Sequence, residues 1–150
     1  MDPECFKEGA AKTVTLMEDR IRKILEYRVI AVVGMSRNPE KPSHYVPRYM
    51  REHGYRVIPV NPAAGKILSE RSYPSLDRVR EEIDVVNIFR PSEEVLSIVR
   101  EAVRIGAKAV WMQEGIVNYA AARYAEEKGL LVVMDKCMMK EHQRCISNID

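Results

Sequence analysis

Residues 34–43 read Gly-Met-Ser-Arg-Asn-Pro-Glu-Lys-Pro-Ser, which places one glycine, two hydroxyls and two cations just ahead of a helical pattern. Gly34 permits a tight turn and the close approach of a ligand. Free amides at a helix start, together with the positive end of its dipole, attract phosphate. Ser36, Ser43, Arg37 and Lys41 add hydroxyls and charge at the same place, so the chemistry this stretch suits is the holding of a phosphate. The dinucleotide fingerprint G-x-G-x-x-G is not there: Gly34 stands alone, and Pro39 occupies the position of the third glycine. A loop whose serine caps a helix and whose charges face water would explain the same residues without a ligand.

Other candidates close later apolar runs. Pro59-Val60-Asn61-Pro62 ends the second run, where an NAD-binding domain sets an Asp or Glu against the adenosine ribose. No carboxylate stands there. Lys66 and Arg71 follow instead, which suits a phosphorylated ribose, although both serve equally well as surface charges and the prolines also stiffen a turn. Phe89-Arg90-Pro91 ends the third run, and Trp111-Met112-Gln113 ends the fourth. Trp111 fits a core position as readily as a cleft, whereas the Gln113 amide can meet a ligand's own amides. Cys137, His142 and Cys145 lack a CxxC pair and a fourth ligand, so no metal site is assigned. Cys137 and His142 are five apart on one helical pattern, a poor separation for a catalytic pair. No residue is assigned as catalytic. Cys137 follows the last strand directly and falls near the strand ends.

These residues need elements to hold them. Val14–Tyr27 shows helical spacing, and Val29–Val33 is a β-branched run that suits a strand buried on both faces. A helix over His44–His53 closed by Gly54, a strand over 55–60, a short helix over Leu76–Glu82 and a strand over 84–89 follow. Then come a helix over 93–105, a strand over 109–112, a helix over 118–128, a strand over 131–134 and a last helix over about 138–146. The connection 61–75 carries a small ordered excursion around Ile67 and Leu68. Five strands alternating with helices specify an α/β, Rossmann-like, doubly wound parallel sheet with helices on both faces. Ligands of such sheets bind beyond the carboxyl ends of the strands, where the strand order reverses.

The chain has 150 residues, the size of one domain, with residues 1–13 read as a flexible arm and 14–150 as the folded unit. A net charge of +2 spread along the chain argues against a nucleic-acid partner. No apolar run is long enough to span a bilayer and no signal-peptide pattern opens the chain, so no membrane association and a cytoplasmic location are expected. Three scattered cysteines do not spell a disulfide framework and fit a reducing compartment.

Five blocks in order, GMSRNPEKPSHYVPRYMREHGYRVIPVNP, SYPSL, DVVNIFRP, KAVWMQEGI and VVMDKCMMKEH, resemble the small stand-alone CoA-binding domain proteins. Those in turn are similar to the N-terminal domain of the succinyl-CoA synthetase α subunit. The resemblance covers Val29 to His142. It implies that coenzyme A is the ligand, with Gly34, Ser36, Arg37 and Lys41 facing its diphosphate and Pro59, Val60 and Asn61 bordering the nucleotide. Phe89, Arg90 and Pro91 would flank the cleft, with Trp111 and Gln113 toward the pantetheine. The synthetase also needs a phosphorylated histidine on a further domain and a partner subunit, and His44, His53 and His142 do not sit in its glycine-rich motif. The expectation is therefore a non-catalytic carrier, sensor or regulatory module for CoA or an acyl-CoA. The alternatives are an NAD(P)-dependent oxidoreductase and a CoA-ligase or transferase component acting with a partner chain; a homo-oligomer is compatible with each.

Overall fold

The protein is seen in a computed structural model that describes residues 16–63 and 65–147. The expected arm, residues 1–13, lies outside the described residues.

Five strands, β1 (Val29–Val33), β2 (Arg56–Val60), β5 (Val85–Ile88), β6 (Ala109–Met112) and β7 (Leu131–Val133), form one sheet in the order β2-β1-β5-β6-β7. Every pairing in it is parallel. The order reverses between β1 and β5, so the cleft of a doubly wound sheet belongs above those two strands. Side chains alternate between two cores. Ile30, Val32, Val85 and Trp111 face α1 (Leu16–Leu25), α2 (Pro42–Glu52) and α5 (Met138–Ser147), while Ala31, Val86, Ile88 and Val110 face α3 (Val95–Arg104) and α4 (Tyr119–Glu127). Helix α3 presents Val95, Val99 and Ala102 on one stripe. Asn118 caps α4, its side chain accepting from the Ala121 amide at 2.9 Å. One polar residue interrupts the first core: Asn87, in register with Val32 and Trp111, is fully buried and neither end of its amide has a hydrogen-bond partner.

Two expectations are corrected. The segment Leu76–Glu82 is not a helix; only Leu76–Arg78 makes a 3₁₀ turn before Val79 becomes extended. The Leu76 amide donates to Glu101 Oε1 of α3 at 2.7 Å, and this tertiary bond anchors the segment in place of a helical repeat. Cysteine pairing is the second, since Cys145 is disulfide-bonded and Cys137 is the free thiol among the described residues. The ordered excursion expected around Ile67 and Leu68 is present, as a hairpin of β3 (Lys66–Ile67) and β4 (Glu70–Arg71).

The amino end of the sheet is closed by paired charges. Asp84 accepts from the Arg28 and Val29 amides at 3.2 and 3.0 Å and from Lys108 Nζ at 3.1 Å. Burial alone would raise its pKa, but these donors outweigh it and hold the carboxyl below its ordinary value. Arg56 is gripped by Glu70 at 2.9 Å and Glu81 at 2.6 Å.

Candidate functional site

At the opposite, carboxyl end the loop after β1 is built almost wholly from local bonds. Gly34 sits at φ 90°, and a Cβ there would come within 2.8 Å of Arg90 Cδ and 3.2 Å of the Phe89 carbonyl oxygen. Only glycine fits. The Ser36 hydroxyl accepts from the Asn38 amide and the Asn38 side chain from the Glu40 amide, each at 3.0 Å. His44, buried, braces the same loop through Nδ1 to the Ser36 carbonyl at 2.7 Å. Helix α2 then starts with Pro42 at its first position, two residues before the sequence pattern suggests, because proline is preorganised for N1 and leaves no amide to satisfy. Lys41 makes no side-chain cap, and neither Lys41 nor Arg37 has an acidic partner among the described residues.

Asn61 fastens this loop to the end of β2. Its Nδ2 donates to the Met35 carbonyl at 2.7 Å while its Oδ1 accepts from the Ala63 amide at 2.9 Å. Across the reversal point Arg90 is held by Glu94 through two bonds at 3.1 and 3.0 Å. Its aliphatic stem lies against Gly34.

Three cavities adjoin one another over this end. The central one, about 320 Å³, is lined by Gly34, Ser36, Arg37, Lys41, Ser43, Asn61, Phe89 and Arg90. A second, about 420 Å³, shares Gly34, Asn61 and Arg90 with it and continues over Val60, Leu76, Ile98 and Glu101. The third, about 350 Å³, shares Lys41, Ser43 and Phe89 and runs between the starts of α2 and α5, past Tyr45, Gln113, Cys137 and Met139. Lys140 and Glu114 form an ion pair at 3.0 Å on its wall, which raises the Lys140 pKa.

Most of the residues picked from the sequence are thus gathered around one cleft. Pro59, Lys66, Pro91 and Trp111 line none of the three cavities. Pro59 is buried within β2, Lys66 lies in the hairpin, and Pro91 is an exposed start to the turn Ser92–Glu94. Trp111 is fully buried and donates Nε1–H to the Lys136 carbonyl at 2.7 Å, which fixes the loop before α5 from below. Leu76, Ile98, Glu101 and Tyr45 are walls that no strand-end pattern marks; the helical stripes that carry them read only as core.

A second polar cluster lies on the seam between α2 and α5. His142 is buried, bonded through Nδ1 to the Tyr49 hydroxyl at 2.8 Å, with the His53 ring 5.2 Å away. Burial, with His53 beside it, lowers its pKa to about 4. Its ring nitrogen is committed to Tyr49, so Cys137 and His142 serve separate structures.

A doubly wound parallel domain with a glycine turn and two unpaired cations at its reversal point has the architecture in which ligands bind beyond the strand ends. The comparisons narrow that class. Residues 28–143 match the CoA binding domain family, and the chain belongs to that family. It is 39% identical over 123 residues to the uncharacterized protein YneT of Bacillus subtilis, covering 81% of this chain and 91% of YneT. It is 29% identical over 119 residues to the ADP-forming acetate–CoA ligase II of Archaeoglobus fulgidus, covering 77% of this chain but only 18% of that enzyme. A solved hypothetical protein from Pyrococcus horikoshii OT3 superposes with a TM-score of 0.84 at 38% identity, covering 93% of this chain and 99% of its own. Among the described residues no helix is long and apolar enough to cross a membrane.

Proposed function

We propose that this chain binds coenzyme A or an acyl-CoA across the carboxyl end of its sheet, as a carrier, sensor or regulatory module with no reaction of its own. One observation carries the reading: an anion cradle with two unpaired cations, Arg37 and Lys41, lies between two cavities that share its walls. CoA has that form, with phosphates in the middle, a nucleoside on one side and a pantetheine on the other. Lys41, Arg37 and the hydroxyl and amide of Ser43 would hold the diphosphate, the wall from Val60 to Leu76 would border the nucleoside, and the Gln113 side would receive the pantetheine.

Thermal melts test this. A ligand that binds only the native state contributes about 2.7 kcal/mol at a hundredfold excess over Kd, which for a domain of this size raises Tm by roughly 5–13 °C. CoA should give that rise. NAD and NADP should give less, since the partner glycines and the ribose carboxylate are missing. A larger rise with NAD would replace this reading with the oxidoreductase one. The likeness to a stretch of the acetate–CoA ligase supports a second reading, a component that acts with a partner chain; an assay of acetyl-CoA formation from acetate, CoA and ATP, with release of ADP and phosphate, should then show no turnover on the purified chain until such a partner is supplied.

A further inference from the structure

The third cavity contains a nucleophile that the binding reading leaves unused. Cys137 is the free thiol among the described residues, 5% exposed, and it lines this cavity immediately before α5 begins. A second feature beside it independently points to a ligand. Gln113, 3% exposed, commits its Oε1 to the Met138 amide at 2.9 Å, and its Nε2 donates to nothing among the described residues while the residue lines the same cavity. Nε2 is not among the fully enclosed unpartnered atoms, so it is open to the cavity and remains a free donor there. A ligand carbonyl in the cavity would satisfy it. Phe89, Tyr45 and Met139 make the rest of the lining largely apolar, and Lys41 and Ser43 connect it to the anion cradle. A chain that carries a phosphate at one end and amides further along therefore has its far end directed toward Cys137.

On these grounds we propose that Cys137 is a thiol–disulfide exchange site for the thiol end of the bound cofactor, forming a reversible mixed disulfide with CoA. The proposal rests on the CoA reading above. The oxidant is CoA disulfide. The Cys137 thiolate, its proton given to solvent, attacks one sulfur of CoA disulfide. A bond forms between Cys137 Sγ and that sulfur, the original S–S bond breaks, and the second CoA leaves as a thiolate that takes up a proton. One disulfide is consumed and one is formed, so no further electron acceptor is needed. A dithiol reductant reverses the step.

The test uses the whole chain with CoA disulfide, with air excluded, followed by intact mass and peptide mapping. One CoA adduct should form, map to Cys137 and disappear with dithiothreitol. It should form roughly tenfold or more faster than with pantethine, the same disulfide without the nucleotide, because docking at the cradle makes the attack effectively intramolecular. Cys137→Ser should form no adduct at that position, and mapping of the unmutated chain gives the same answer should that variant fold poorly. An adduct on another cysteine, or equal rates with pantethine, would overturn the proposal. A parallel titration of the unmutated protein with CoA in excess reductant separates the two readings. Binding there, together with no adduct from CoA disulfide in the first experiment, sinks the exchange site alone, and no binding sinks the CoA reading together with it.

Discussion

The two ends of the sheet use their charged groups differently, even though the carboxyl end also has two ion pairs, Arg90 with Glu94 and Lys140 with Glu114. At the amino end each prominent charge has its partner: Asp84 takes two backbone amides and Lys108, and Arg56 takes Glu70 and Glu81. At the carboxyl end Arg37 and Lys41 stand open beside a cavity, and the loop carrying them is held by serine, asparagine and histidine bonds that do not involve either cation. A paired charge stabilises a fold, and the energy of its interaction is already realised. An unpaired cation at a helix start retains its interaction for something that arrives later. On the CoA reading, the difference separates residues that hold the domain together from residues that await a ligand, and it makes the two sets separable by experiment.

The largest effect should come where both roles meet. Gly34→Val puts a β-branched side chain at φ 90° and against Arg90 and the Phe89 carbonyl, so it should lower stability by about 3 kcal/mol and remove CoA binding; a variant that keeps both would take Gly34 out of the cradle. Next is the α2–α5 seam. The His142 pKa is about 4 when folded and about 6.5 when unfolded. The unfolded chain therefore binds more protons in that window, and stability, full above the upper value, should fall by roughly 2–3 kcal/mol as pH drops to the lower one. Urea melts at several pH values read this slope, and His142→Gln should flatten it.

Two substitutions then set the ends against each other. Lys41→Ala should cost about 1.5–3 kcal/mol of CoA affinity, as loss of a charge-assisted bond does, with no change in the ligand-free Tm. Asp84→Asn should do the reverse, lowering stability by about 1–2 kcal/mol while calorimetry finds the same affinity. The Asp84 contribution is present above the unfolded carboxylate pKa and is lost as pH falls through its lower folded value. If Lys41→Ala destabilised the free protein or Asp84→Asn weakened binding, the division between ends would fail. Lys66→Ala should have the smallest effect, about twofold or less in affinity, because the hairpin keeps that side chain off all three cavities.

What the sequence made legible follows the strength of local signals. Strands β1 and β5 are runs that only a sheet covered on both faces can bury, and glycines end three of the helical patterns, so the alternation and its strand ends could be read directly. The hairpin could not. Its turn uses Leu68 and Ser69 at φ 53° and 64°, where glycine or asparagine is the usual sign. Leu76, Val79 and Ile83 share a helix-like spacing, yet Leu76 and Ile83 enter the core as separate anchors and the Glu101 bond fixes the backbone at Leu76. Trp111 shows the limit for the site itself. A strand-end aromatic reads as a ligand platform or as core with equal ease, and the side of the sheet it takes, with the Lys136 carbonyl waiting for its indole, is a tertiary fact.

The shared walls of the three cavities carry a consequence for ligand design. Arg90, Asn61 and Gly34 belong to two cavities at once, as do Lys41, Ser43 and Phe89. Under the CoA reading, a fragment in one compartment ends where the next compartment begins, leaving little slack for a linker to lose. Joining two fragments turns the second association into an intramolecular one at an effective concentration that can reach millimolar for a tether of matching span. Adenosine diphosphate and pantetheine, each a weak tenant alone, would then combine far more than additively when covalently joined, and the cleft would act as a gauge of tether length.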